Sequence, residues 1–419
     1  MLVFLFTMLL VVGFNTILWI VAGAARVVAA RVPSSSVAGS HPEPSDVAIV
    51  IAAHNEELVI EATIRSAAVQ VPMGNVFVVS DGSTDDTVRL ASEAGATVLD
   101  LQPNRGKAGA IAAIVKQYQL PDRFEVLMLL DADTQLSPDY LRTGLPLFSD
   151  PGVVTVAGRA TTLIDPRPPT RMGRLLVAYR ERLYLSVQYF QKFGQAARYL
   201  NAVSIVPGFA SMYRTRILSS VDIAAPGLVI EDYNMTFEVH AKRLGRIAFH
   251  PGAAVAFTQD PDNLHDYMRQ VRRWSLGFWQ TVRRHGLHRG RFWALLVLST
   301  GELVTSSILM ALLLPLILVS VTAGLLAAFG LDPTGTAAEI VAVVPPLALV
   351  LGLLIPDLML SLFAAVVSRR PGYLVRWPIF PFLRVLDAVL NLRAMFEAFV
   401  LRTDGRWSSP TRRLVSTGS

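Results

Sequence analysis

Val47-Ala48-Ile49-Val50-Ile51-Ala52-Ala53 is an unbroken apolar run that stops at a polar turn, His54-Asn55-Glu56-Glu57. A strand wetted on one face alternates apolar with polar residues. A run without alternation is buried on both faces, as in a parallel sheet. Helical spacing follows over residues 57–69, and the unit then recurs. Residues 76–80 lead into Asp81-Gly82-Ser83 and a helix from Thr84, and residues 97–99 lead to Asn104 and a helix over 107–118. Residues 126–130 run straight into Asp131-Ala132-Asp133. Strands alternating with helices predict an open α/β fold with a mainly parallel sheet covered on both faces. Ligands of such sheets bind beyond the carboxyl ends of the strands, where all of these polar turns fall. Residues 153–156 read as a further strand and 171–200 as a long amphipathic helix. Residues 262–284 are helical by spacing, with Asp260 or Asp262 as the cap.

Outside residues 45–290 the composition changes. The chain has 419 residues, of which 52% are hydrophobic and 17% charged, too apolar on average for a wholly soluble protein. The net charge of +6 is carried by arginine clusters, notably Arg269, Arg272, Arg273, Arg283, Arg284, Arg289 and Arg291 ahead of an apolar run. Basic flanks of this kind mark the cytoplasmic side and meet anionic lipid, so membrane lipid is an expected partner and nucleic acid is not. Cysteine is absent, which excludes disulfides, thiolate metal sites and a cysteine nucleophile.

Residues 1–26 read as one transmembrane helix with its amino end outside. Ala22-Gly23-Ala24 resembles a signal-peptide cleavage site, but the positive charge follows the apolar run instead of preceding it. Residues 27–46 form a linker rich in Pro, Ser and Gly, and 47–260 a cytoplasmic catalytic domain. Residues 261–303 read as interfacial helices and 304–367 as two transmembrane helices. Residues 368–419 form an interfacial helix and a basic cytoplasmic tail. The apolar stretch 292–330 as one straight helix would be roughly 58 Å long, about twice a bilayer core of roughly 30 Å. An interfacial piece over 292–303 before a span over 304–329 is therefore expected. Residues 331–339 hold no basic residue and fall outside by the charge rule.

The polar motifs each admit two readings. Asp81 can accept hydrogen bonds from a base or ribose beside the open backbone of Gly82, or it can close a plain strand-to-helix turn. In Asn104-Arg105-Gly106-Lys107, the two cations can meet phosphate at a helix amino end, or simply be solvated. Asp131 and Asp133, one residue apart at a strand end, can hold a divalent cation with a diphosphate, or form an acidic turn. Glu231-Asp232 can take a proton from an attacking hydroxyl, or complement a helix dipole. Gln270, Arg273 and Trp274 lie on successive turns of one helix. Arg273 can pair with diphosphate and Trp274 can floor a sugar ring, or the group can be an interfacial aromatic beside snorkelling arginines.

Taken in order, these motifs resemble the family 2 glycosyltransferases with a GT-A fold. The likeness is to their membrane-embedded branch, which contains cellulose, chitin, hyaluronan and poly-N-acetylglucosamine synthases. The resemblance covers residues 45–290 and implies roles residue by residue. Asn55 and Glu56 would belong to the opening nucleotide-site segment, Asp81 would contact the nucleoside, and Lys107 the uridine diphosphate. Asp131 and Asp133 would form the D-x-D, binding nucleotide and a divalent cation (Mg2+ or Mn2+), with Asp133 foremost as metal ligand. Asp232 would be the catalytic base with Glu231 beside it. Gln270, Arg273 and Trp274 match Q-x-x-R-W, which closes over diphosphate and acceptor. Gly208, in Val206-Pro207-Gly208-Phe209-Ala210-Ser211, would sit in the acceptor loop. Two departures stand out. Ser80-Asp81 replaces the acid pair common in the family, and the acceptor loop lacks the Cys-Gly signatures of cellulose and hyaluronan synthases.

The implied activity is inverting transfer from a nucleotide-sugar, a UDP-sugar in this family, to a lipid or growing glycan at the cytoplasmic face of the plasma membrane. Polysaccharide synthesis is favoured over single transfer to a glycolipid. A non-catalytic glycan-translocating subunit is the reading from another class, opposed by the intact Asp133, Asp232 and Trp274. A dinucleotide oxidoreductase is disfavoured because no G-x-G-x-x-G follows the first strand.

Overall fold

A computed structural model describes residues 1–30, 40–400 and 413. Residues 31–39 of the expected linker, and all of the expected tail beyond residue 400 except Arg413, lie outside the described residues.

The strands are β1 (Val47–Ala53), β2 (Val76–Asp81), β3 (Thr97–Leu101), β4 (Val126–Asp131), β5 (Thr134–Leu136), β6 (Val153–Ala157), β7 (Arg159–Thr162), β8 (Ala210–Arg214), β9 (Arg246–Ala248) and β10 (Val255–Thr258). Seven of them form one sheet in the order β3-β2-β1-β4-β8-β6-β9, and β5-β10-β7 form a second. β3, β2, β1 and β4 are mutually parallel, while β8 runs antiparallel to both β4 and β6. This is a GT-A-like α/β fold with a mostly parallel central sheet. The unalternating run has the expected cause. Ala48, Val50 and Ala52 of β1 enter one core with Ala110, Ile111 and Ile114, whereas Val47, Ile49 and Ile51 enter another with Ile60, Ile64 and Ala67. The antiparallel β8 and the small second sheet were not anticipated. β8 begins inside the proposed acceptor loop, where no turn signal separates it from Gly208.

The membrane part departs from expectation in three places. Residues 1–26 are not one helix. Leu2–Val12 and Phe14–Ala30 meet at Gly13, φ +87°, and the pair up to residue 29 bends by 66°. Glu302 holds the bend by accepting from the Asn15 backbone amide (2.8 Å) and the Asn15 side chain. A Cβ at residue 13 would lie 2.6 Å from Glu302 Oε1. The amide freed by the break thus finds a carboxylate, which an apolar surrounding requires. Next, residues 292–303 do not part from the span behind them: Arg291–Ala328 is a single helix with Pro315 inside. Last, the second helix expected within 304–367 starts at Thr336, inside the stretch 331–339 read as outside, and Pro345 separates Thr336–Val343 from Pro346–Val367. Among the described residues two helices are long and apolar enough to cross a membrane, or three if the bent amino-terminal pair counts as one span. The helix Phe380–Val400 packs against Leu264–His285 and Arg291–Ala328, and its Arg384, Asp387 and Glu397 are all paired.

Candidate active site

Three carboxylates and one ammonium meet where the central sheet ends. Asp131 closes β4, Lys107 stands in the first turn of the helix Gly106–Gln117, and Glu231 and Asp232 open the helix Glu231–Ala241. Lys107 Nζ lies 2.7 Å from Asp131 Oδ1 and 2.8 Å from Glu231 Oε1. Burial alone would lower this amine's pKa, but Asp131, Glu231 and Asp232 outweigh it and hold Lys107 well above its ordinary range.

Asp232 is placed by the loop that precedes β8. The Gly208 amide donates to Asp232 Oδ2 at 2.7 Å, and the Thr236 hydroxyl donates to the Asp232 carbonyl. A Cβ on residue 208 would sit 2.1 Å from Asp232 Oδ1, so only glycine permits this approach. Oδ1 itself is buried without a hydrogen-bond partner among the described residues. Burial first, and the neighbouring Glu231 second, push the Asp232 carboxyl up to about 8, against the opposing pull of Lys107 and the Gly208 amide. Such a carboxyl is poised to exchange a proton near neutral pH.

Asp133 is buried in the turn between β4 and β5, with the Thr134 hydroxyl 3.3 Å from its Oδ1. No group of three or more His, Asp or Glu side chains converges as a metal cage among the described residues. Asp131 and Asp133, one residue apart at the end of β4, are the carboxylate set that could share a cation, with Asp131 also paired to Lys107. That set fits a hard cation which keeps open positions for phosphate oxygens, since Mg2+-like ions are commonly held by one or two carboxylates plus a substrate diphosphate.

A second group gathers at the ends of β1 and β2. Asp81 Oδ1 accepts from the Arg105 amide (2.7 Å), and the Asp81 carbonyl accepts from Asn104 Nδ2 (2.8 Å). Asp81 Oδ2 is buried and unpartnered among the described residues. Asn55, at φ +55°, accepts from the Thr84 amide at 2.8 Å. Glu56 is buried, and its amide donates to Thr87 Oγ1 at 2.8 Å.

The Q-x-x-R-W residues lie on Leu264–His285, capped by Asn263, which accepts from the Asp266 amide. Neither Asp260 nor Asp262 caps it. Asp260 lies in the buried cluster instead, taking bonds from Tyr184 (2.8 Å) and Thr162 (2.8 Å). The helix leans on the segment leading into the acid pair, because Gly277 abuts Ile230 and Gln280 accepts from the Val229 amide. Gln270 accepts from Arg180 at 2.6 Å, and the Arg180 guanidinium stacks 4.1 Å from the Trp274 ring centroid. Arg273 is half-buried without a partner among the described residues. Asp131, Glu231, Asp232, Lys107 and Gly208 therefore form one group, Asn55 bonds the loop that follows Asp81, and Arg180 joins Gln270 to Trp274, while none of these contacts is made by Asp133, Glu56 or Arg273.

A family described as "Glycosyltransferase like family 2" matches residues 43–277, more than half of the chain. The chain belongs to that family.

Among curated relatives of this glycosyltransferase is the poly-beta-1,6-N-acetyl-D-glucosamine synthase of Staphylococcus epidermidis. It is 23% identical over 261 residues, 59% of this chain and 60% of that protein. The enzyme of the same name from Staphylococcus aureus strain COL is 25% identical over 248 residues, 58% of this chain and 57% of that protein. The chain thus spans about three fifths of the length of these relatives. A mannosyltransferase from Pyrobaculum calidifontis, solved in complex with GDP-Man and Mn2+, shares the fold with a TM-score of 0.54. It is 16% identical, and the match covers 93% of this chain and 99% of that one.

Two features of the site escaped sequence reading. Arg180, which contacts both Gln270 and Trp274, is 90 residues from the first of them in a helix that read as merely amphipathic. Its one signal was the charged run Arg180-Glu181-Arg182 in a segment that proves to be buried. Lys192 is the other. It is buried on a π-helical turn, Gln188–Lys192, and burial pulls its amine down to about 8 against the Asp232 carboxylate.

Proposed function

We propose that this chain transfers a sugar from a nucleotide-sugar to a hydroxyl acceptor at the cytoplasmic membrane face, with inversion, in polysaccharide synthesis. The observation that carries this reading is Asp232: a buried carboxyl with a raised pKa, one oxygen on the Gly208 amide and the other unpartnered, at the carboxyl end of the sheet. In this reading Asp232 takes the proton of the acceptor hydroxyl as that oxygen attacks the anomeric carbon and the bond to the nucleoside diphosphate breaks. Lys107 and Arg273 hold the departing diphosphate, and preorganised positive charge of this kind is commonly the largest catalytic contribution. A divalent cation held through Asp131 and Asp133 supplies further charge neutralisation at that leaving group. Asp81 and Asn55 bind the nucleoside, read as uridine, and Trp274 floors the acceptor sugar. The basic residues flanking the long apolar helices support a position on the inner membrane surface.

The modest membrane part favours a second reading, transfer of one sugar to a lipid acceptor. Two candidate spans among the described residues, or three with the bent pair, are few to enclose a polymer path. The decisive experiment uses the full chain in lipid nanodiscs with UDP- and GDP-sugars, Mg2+ or Mn2+, and Asp232→Asn as control. Diphosphate release with one donor, lost in the variant, supports the enzyme and names its sugar. Long products support the synthase, and one sugar on lipid the second reading. No release with added lipid and oligosaccharide acceptors, despite nucleotide binding, would refute the catalytic reading.

A further inference from the structure

The helix Arg171–Val187 places four consecutive side chains on four different parts of the molecule. Tyr179 donates to Asp387 of the carboxyl-terminal helix at 2.9 Å, and Arg180 reaches the Q-x-x-R-W helix. Glu181 accepts from the Thr162 amide of β7 at 2.7 Å. Arg182 pairs at 2.7 Å with Asp357 inside the span Pro346–Val367. Of the four, Arg180 touches residues of the candidate site.

Its surroundings fix it from three sides. Arg180 is 1% exposed, with Nε 3.4 Å from Asp260 Oδ1 and Nη2 2.6 Å from Gln270 Oε1. Its plane lies over Trp274 at 4.1 Å, with the Tyr184 ring at 5.4 Å and the Tyr267 ring at 5.6 Å. Asp260 is in turn held by Tyr184 and Thr162. The guanidinium thus grips positions 270 and 274 of one helix, a spacing that puts both on one face with residue 273 beside them. One face of the Trp274 indole is covered by Arg180. Arg273 is not drawn into this cluster.

We propose that Arg180 is a positioning residue for the Q-x-x-R-W segment: it locks Gln270 and Trp274 from behind, so that Trp274 presents one fixed face and Arg273 is left for the anionic donor. The inference rests on the glycosyltransferase reading of the site. A lysine cannot replace it, because an ammonium lacks the planar fork that bonds Gln270 and stacks on Trp274 at once. Misplacing a binding group by about 1 Å can cost on the order of 10²-fold in rate.

Removing Arg180 alone would strand Asp260, so the test pairs Arg180→Met with Asp260→Asn, leaving neither charge buried alone. In nanodiscs the double variant should keep a wild-type unfolding midpoint and lose on the order of 10²-fold in kcat for transfer. A folded double variant with wild-type kcat would overturn the proposal. Should that variant not fold, Arg180→Lys is measured in the wild-type and Trp274→Phe backgrounds. A loss of roughly tenfold that shrinks when Trp274 is already changed supports action through Trp274, whereas losses that simply multiply refute it. Wild-type protein that turns over no donor would count against the functional reading itself, a result separate from either outcome for Arg180.

Discussion

Two groups of buried charges lie in this chain, and they are settled in opposite ways. On the membrane side Arg180, Arg182 and Arg384 face Asp260, Asp357 and Asp387. Every one of the six has a partner, and Tyr179, Tyr184 and Tyr267 cap what the ion pairs leave over. At the sheet's carboxyl ends, Lys107 pairs with Asp131 and Glu231 and Lys192 faces Asp232 electrostatically, while Asp232 Oδ1 is buried with no hydrogen-bond partner among the described residues. In a low-dielectric interior an unmatched polar group costs far more than a matched one gains. A satisfied network fixes elements against one another. A frustrated one is kept where a ligand completes it.

The largest expected effect is at the frustrated group. Asp232→Asn should cut transfer by about 10³-fold or more, the upper range for a general base. It should leave the unfolding temperature unchanged near pH 7, where the carboxyl is mostly protonated, and raised at higher pH, where the wild type would carry a buried charge beside Glu231. Diphosphate release and thermal unfolding of the same preparation check both halves; lost stability would move Asp232 into the scaffold. Arg182→Met should behave in the opposite sense. Breaking a buried pair from one side costs about 3–5 kcal/mol, and Asp357 would keep only Arg384 at 3.4 Å. Adding Asp357→Asn should recover most of that loss. Wild-type stability in the single variant would erase the distinction between the two regions.

A smaller effect is expected at Gly208→Ala. This glycine has no left-handed backbone to protect, so the substitution acts only through space. The new methyl would lie 2.1 Å from Asp232 Oδ1, and the carboxylate must swing away from the Gly208 amide. A fall in kcat of about 10²-fold, with a wild-type unfolding midpoint, is the expected result. Unchanged kcat would show that the Asp232 position is not critical.

The two regions also differ in how legible they were. The frustrated cluster announced itself, because its carboxylates end a strand or open a helix right after an apolar run, and Lys107 stands in the first turn of the helix that follows β3. Asp131 follows residues 126–130, and Glu231-Asp232 follows 228–230. Chain topology then brings those ends together, which is why four separate motifs converge. The satisfied network left almost no trace. Arg180 and Asp260 are 80 residues apart and Arg182 and Asp357 are 175 apart, and nothing in local spacing links them. The membrane breaks failed for a related reason. Gly13 is an unremarkable residue until Glu302, far along the chain, is found holding the amide that its bend exposes. Helix continuity through residue 303 was missed because length was weighed against bilayer thickness, whereas the observed helix simply runs on through Arg291–Ala328.

The mildest and most discriminating test is pH, where stability and activity should move in opposite directions through one group. The Asp232 carboxyl is raised from 3.8 to about 8 in the folded chain. Between those values the native state binds more protons than the unfolded one, so this group's contribution to stability is fully present below 3.8. It is lost as pH climbs through about 8, with a slope no steeper than about 1.4 kcal/mol per pH unit. Asp232→Asn cannot titrate there, and its stability curve should run flatter than the wild type between pH 5 and 8. Proton abstraction needs the ionised form, so kcat/KM for the wild type should rise over the same range as stability falls. Parallel stability curves for the wild type and Asp232→Asn would mean that the carboxyl is already ionised at pH 5. Its burial beside Glu231 would then be balanced by Lys107, and the frustration that separates the two regions would not exist.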